Sequence, residues 1–237
     1  MSLEQTYRAA PTAAEAAAGD RAAFIRRTYA HLAGAIGLFV VLEFVLLRMP
    51  FTPKLIQTMA GSRYGWLVVL GLFMVVGWVA DRWARTAQSP AMQYAGLVLY
   101  VVAEAIIFLP LLFVATYLTK SPNLIASAGL LTLTLFAGLT GTVFITGKDF
   151  SFMRGILTVG SFVALGLIVA GILFGFTLGT LFSVAMVGLA GGYILYYTSA
   201  VIRDYRTDQH VAAALALFAA VALMFWYILR IFIARDR

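Results

Sequence analysis

The chain contains no cysteine. That excludes disulfides, thiolate metal sites and cysteine nucleophiles. Histidine is almost as scarce. His31 and His210 are the only two, too few and too far apart in sequence for a histidine-based metal cage. A metal site would need several Asp, Glu or His side chains to converge, and only Glu104 lies deep in an apolar segment, so neither a metal site nor a cofactor is expected. A nucleophile needs a base within hydrogen-bond reach, and both histidines fall at the edges of apolar segments. No catalytic residue is assigned, and the chain is read as not an enzyme. Charge is the third scarcity: 11% of the 237 residues are charged, against about 25% in an ordinary soluble domain.

What fills the space is apolar. Residues of the hydrophobic class make up 62% of the chain, with 18 Phe and 21 Gly. This composition marks an integral membrane protein whose helices pack closely, and the lipid bilayer is its first partner. The net charge of +7 sits at the ends and in short loops. In such a chain it is an orientation signal and not evidence for nucleic-acid binding.

Residues 1–27 are Ala-rich and polar, and read as a cytoplasmic polar, basic tail, disordered or weakly helical, with no cleaved signal expected. Arg26 and Arg27 abut the first apolar run as an anchor. Residues 28–237 then form a transmembrane domain of seven apolar segments: 28–47, 64–80, 93–118, 124–145, 155–174, 178–199 and 211–229. Each is long enough to cross a hydrocarbon core of roughly 30 Å as a helix. Pro50 and Pro53 mark a loop, and Glu43 and Arg48 are expected to reach interfacial water. Trp226 and Tyr227 suit an interfacial aromatic belt.

A cytoplasmic N-terminus puts Arg8, Arg21, Arg26, Arg27, Arg82, Arg85, Lys148, Arg154, Arg203 and Arg206 inside. Arg48, Lys54, Arg63, Lys120, Arg230, Arg235 and Arg237 then lie outside. That modest bias favours this orientation. Seven spans then place the C-terminus outside, although the last three basic residues would equally suit a partly re-entrant final segment.

One residue stands out. Glu104 lies about 16 Å into the third segment at the helical rise of 1.5 Å, near the bilayer centre. A carboxylate there costs on the order of 2.5–3.5 kcal/mol and is by default a functional hypothesis. The competing reading is a hydrogen-bonded packing residue inside the bundle. Tyr100, one turn away, and Thr132 and Thr134 of the fourth segment are its expected partners. Asp204 and Asp208, in the charged connector after the sixth segment, complete the candidate ion-pathway or pH-sensing set.

Several strings taken together, AGLVLYVVAEAIIFLPLLFVA, GKDFSF, and GGYILYYTS followed by YRTDQHVAAALALF, resemble the Bax inhibitor-1 (TMBIM) family, specifically its bacterial YccA-like branch. The resemblance runs from about Ala30 to the C-terminus. It implies an all-α bundle of seven transmembrane helices with the last helix central. It also implies a pH-sensitive leak of calcium, and in the bacterial branch a link to a membrane-bound ATP-dependent protease. Leak-type members sense pH with an aspartate pair, for which this chain has Tyr197 and Ala220, and the family's basic lock on that pair has an approximate counterpart in Arg82. The expected function is therefore a pH-influenced calcium or proton leak channel with Glu104 as the remaining intramembrane acid. The alternative is a non-conducting regulator that binds and modulates the membrane protease.

Overall fold

A computed structural model describes residues 10–62, 64–86 and 89–236. Arg8, Arg63 and Arg237 of the charge count, and the first nine residues of the tail, lie outside the described residues. The described chain is all helical: α1 (Ala18–Leu46), α2 (Thr52–Ala60), α3 (Gly65–Ala84), α4 (Pro90–Tyr117), α5 (Leu124–Thr146), α6 (Met153–Phe174), α7 (Thr180–Arg203) and α8 (His210–Asp236). All except α2 are long and apolar enough to cross a membrane. Their backbone groups are satisfied within each helix, as hydrocarbon demands.

The last helix is the core. Within the apolar window of α8, 78% of residues are buried, against 17% for α6. α8 packs against α1, α3, α4, α5 and α7. Its run Ala212-Ala213-Ala214 is fully buried, and such small side chains let neighbouring backbones approach. Phe218 sits edge-on to Phe39 of α1 at 6.0 Å and to Tyr100 of α4 at 6.2 Å, so one ring ties three helices together. α8 runs unbroken for 27 residues, so the two ends of the bundle core lie on opposite faces. The face holding the N-terminal segment is called proximal here and the other distal.

α3, α7 and α8 run on past their expected ends, to Ala84, Arg203 and Asp236, and two other differences bear on how the chain is held. The first helix begins at Ala18, so Arg21, Arg26 and Arg27 sit in its opening turns. Arg21 donates from Nε to Ala13 O (2.6 Å) and from Nη2 to Ala14 O (2.7 Å). This holds residues 11–16 against the α7–α8 connector, where Thr12 pairs with Arg206 and Ala13 N donates to Tyr205 O. The second difference is α2, in the stretch read as a loop. Pro53 stands in its first turn, where the missing N–H costs nothing and the fixed φ favours a helix start.

The helix ends follow local chemistry. Ser89 caps α4, accepting from Met92 N, with Pro90 next. Gly147 and Gly175 close α5 and α6 at φ 59° and 77°, a conformation glycine adopts without steric cost. At the distal face the Asp236 carboxylate accepts from Lys120 N (2.7 Å) and Ser121 N (3.2 Å), tying the end of α8 to the α4–α5 turn.

Candidate functional site

Two cavities open on one side of the bundle, one toward each face. The distal cavity, about 520 Å³, is walled by Trp66, Leu70 and Phe73 of α3, Glu104 and Phe108 of α4, Ser161 and Ala164 of α6, Met186 of α7, and Leu223, Trp226, Tyr227 and Arg230 of α8. Glu104 is buried, at 6% exposure. It belongs to the inward stripe of α4 that includes Val101, Ala105, Phe108 and Leu112. Arg230 lies nearer the distal end and donates to Leu178 O (3.0 Å). Trp226 and Tyr227, expected at an interface, instead form cavity wall. Tyr227 is 4% exposed, and Trp226 meets Phe108 edge-on at 4.9 Å. A central helix has no lipid-facing side on which to display a belt.

The proximal cavity, about 470 Å³, is polar. Asp81 and Arg85 at the end of α3, Arg154, Leu157 and Thr158 of α6, Tyr193, Tyr196, Tyr197 and Ala200 of α7, and Asp204, Tyr205 and Gln209 of the connector line it. Tyr193 and Tyr197 are stacked at 5.5 Å, and Tyr196 meets Tyr197 at 5.2 Å. Arg85 pairs with Asp81 at 2.8 Å, which holds its guanidinium protonated more firmly than usual. Its charge lies 5.9 Å from the Tyr205 ring, and burial pushes the Tyr205 phenol up.

The expected residues divide between these places. Glu104 is in the distal cavity; Tyr197 and Asp204 are in the proximal one. Arg82 lies over the Trp78 ring (5.7 Å), and its neighbour Arg85, one turn past Asp81, lines the cavity in its stead. Thr132 and Thr134 donate to Ala128 O and Leu130 O of their own helix, both at 2.8 Å, as hydroxyls do when the backbone one turn back is the nearest acceptor. Tyr100 packs between Phe73 and Phe218. Asp208 pairs with Arg206 at 2.8 Å. Ala220 is buried in α8, three residues before Leu223, where the α8 wall of the distal cavity begins.

Asp204 is exposed overall, yet partial desolvation at the cavity raises its carboxyl above the usual range, Asp149 adds repulsion and Arg203 opposes both. Asp204 is also the C-cap of α7, where negative charge meets the negative end of the helix dipole. A carboxyl whose folded value is raised contributes fully only below its unfolded value of about 3.9, and that contribution is lost as pH rises through the folded value. Asp204→Asn is therefore expected to unfold at a higher temperature than wild type at pH 8, with the gap closing toward pH 4. Thermal unfolding of both proteins in detergent across that range checks it.

Two features escaped the sequence reading. Glu43, expected at water, is 5% exposed with both carboxylate oxygens buried and unpartnered. The buried stripe of α1 runs Phe24, Thr28, Leu32, Ala35, Phe39, Glu43. Its four-residue step from Phe39 was the available signal. The two histidines also meet, with ring centroids 4.9 Å apart. His31 Nε2 lies 3.1 Å from Tyr94 Oη and Nδ1 lies 2.7 Å from Arg27 O. Distance in sequence therefore misjudged their distance in space. Among the described residues, no three potential metal ligands cluster.

Comparison with known proteins places these features in context. A family model described as "Inhibitor of apoptosis-promoting Bax1" matches residues 21–237. An uncharacterized protein of Pseudomonas aeruginosa is 32% identical over 124 residues, covering 52% of this chain and 55% of the relative. An uncharacterized membrane protein of Vibrio cholerae serotype O1 is 29% identical over 123 residues, with the same two shares of 52% and 55%. The chain thus spans about half the length of the curated relatives it matches.

Proposed function

This chain belongs to the Bax inhibitor-1 family of membrane proteins, and from that premise we propose that it is a pH-influenced leak for small cations, calcium or protons, in a bacterial inner membrane, with its N-terminus cytoplasmic. One observation carries the reading: two cavities approach each other from opposite faces of the same helix group, and the deeper wall of one holds Glu104. A buried acid beside a cavity in a membrane bundle is the usual marker of an ion or proton route. Its protonation changes the charge on the cavity wall, which gives the leak its dependence on pH. The proximal cavity supplies the Asp204 carboxylate and tyrosine hydroxyls, among them that of Tyr197, one of the two positions of the family's aspartate pair.

Flux in proteoliposomes, with and without a pH step, tests this. Wild type is expected to dissipate a cation gradient, and Glu104→Gln to lower the rate at least tenfold and flatten its pH dependence. Equal rates in both proteins sink the role of Glu104. A wild type that conducts nothing under any gradient favours the non-conducting regulator of a membrane-bound ATP-dependent protease.

A further inference from the structure

The two cavities end on opposite sides of a single hydrogen bond. Ser161 lines the distal cavity; Tyr193 and Leu157 line the proximal one. Ser161 Oγ and Tyr193 Oη lie 2.8 Å apart with either atom able to donate, and Tyr193 Oη also lies 3.3 Å from Leu157 O. Resting on the leak reading above, we propose that Ser161 and Tyr193 form a proton relay joining the cavities, so that the route passes protons and excludes metal cations.

Why these two side chains meet is legible in the backbone. Each follows a glycine that lets α6 and α7 close on each other. A Cβ on Gly160 would sit 2.9 Å from Leu189 Cδ1, and one on Gly192 would sit 2.8 Å from Leu157 Cδ2. Small residues at a membrane helix interface bring backbones together in this way. The Tyr193 ring is steadied by its stack on Tyr197.

Cavities of about 520 and 470 Å³ have room for water on both sides, since one molecule takes about 30 Å³ of liquid volume. A proton arriving from the distal cavity, where Glu104 gathers it, binds Ser161 Oγ. Ser161 passes its own hydroxyl proton to Tyr193 Oη, and Tyr193 releases its proton to water in the proximal cavity. One O–H bond forms and one breaks at each oxygen, both groups end neutral, and nothing is oxidised or reduced. Rotation of the two hydroxyls resets the chain, and the long contact to Leu157 O is weak enough to break for it. Calcium has no such passage. It needs six to eight oxygen ligands, and this junction offers three neutral oxygens held in contact.

The experiment uses the full chain in proteoliposomes carrying an internal pH dye or an internal calcium dye, with potassium and valinomycin setting the voltage. Wild type is expected to move protons and to leave the calcium signal at the level of empty vesicles. Tyr193→Phe keeps the ring stack and removes the hydroxyl, and is expected to cut proton flux at least tenfold without admitting calcium. Ser161→Ala should do the same, while Ser161→Thr, which keeps a hydroxyl, should retain most of the flux. Each variant is compared only if its thermal unfolding and elution volume match wild type. Unchanged proton flux in Tyr193→Phe overturns the relay while leaving the leak intact, as does calcium entry through wild type. Proton flux lost in Tyr193→Phe but unchanged in Glu104→Gln keeps the relay and removes Glu104 from it. Wild type that moves neither ion overturns the leak and the relay together.

Discussion

Gly96→Leu is expected to abolish the monodisperse folded protein. Gly96 lies where α4 crosses the last turn of α3, and these two helices form one of the most extensive pairings in the bundle. A Cβ there would stand 2.5 Å from Ala80 O and 2.8 Å from Ala84 N. Both are backbone atoms inside a helix and cannot rotate away. Ala80 and Ala84 are themselves fully buried, so the crossing has no slack on either side. Even Gly96→Ala should cost stability, at the upper end of the about 1–3 kcal/mol typical of overpacking. The leucine, three carbons larger again, forces the helices apart. Gly166→Ala is the control, since nothing lies within 4 Å of a Cβ there. Thermal unfolding and size exclusion in detergent read the series. A Gly96→Leu protein that elutes and unfolds like wild type would show that the α3–α4 crossing is looser than described.

Phe218→Ala is expected to give the largest loss of stability among single truncations in α8. The side chain is 2% exposed and joins α8 to α1 through Phe39 and to α4 through Tyr100. Lipid tails are as apolar as phenylalanine, so what is lost is packing and not transfer from water. Around α8 there is little lipid to refill the space, because protein surrounds it on most sides. The cost should therefore approach the about 3–5 kcal/mol known for Phe→Ala in soluble cores. Phe39→Ala should cost less, since Phe39 is 8% exposed against 2% for Phe218 and belongs to a more peripheral helix. The double variant should cost less than the two losses added, by the about 0.5–1.5 kcal/mol of an aromatic pair. Strict additivity in unfolding measurements would mean that the two rings do not act as a pair.

Membrane class and span number were legible because a bilayer imposes a simple rule on any helix that crosses it. About 20 apolar residues must occur together, and seven such runs are visible whatever their partners. The family strings likewise needed no coordinates, and through the resemblance came the expectation that the last helix is central. Composition alone would not have given that, because α6 and α8 are both strongly apolar while one is peripheral and the other enclosed. Apolar content reports compatibility with lipid, and in a bilayer lipid and protein interior look alike to a leucine.

The site was legible only in part, for the same reason. Glu104 stood out because a charge in hydrocarbon is costly wherever it points. Its surroundings did not stand out: Trp226 and Tyr227 read as a belt, Glu43 as an interfacial acid, and the histidines as strangers. Those readings followed position along the chain, which sets depth but not direction around the helix axis. Seven membrane-spanning runs and a deep acid could thus be read from the order of residues along the chain. Packing was needed to show which residues share a cavity, that Ser161 meets Tyr193, and that Arg85 faces the tyrosines in place of Arg82. Depth follows from 1.5 Å of rise per residue, whereas facing depends on which helices pack together, and that is fixed by contacts such as Gly96 on Ala80 that no single segment contains.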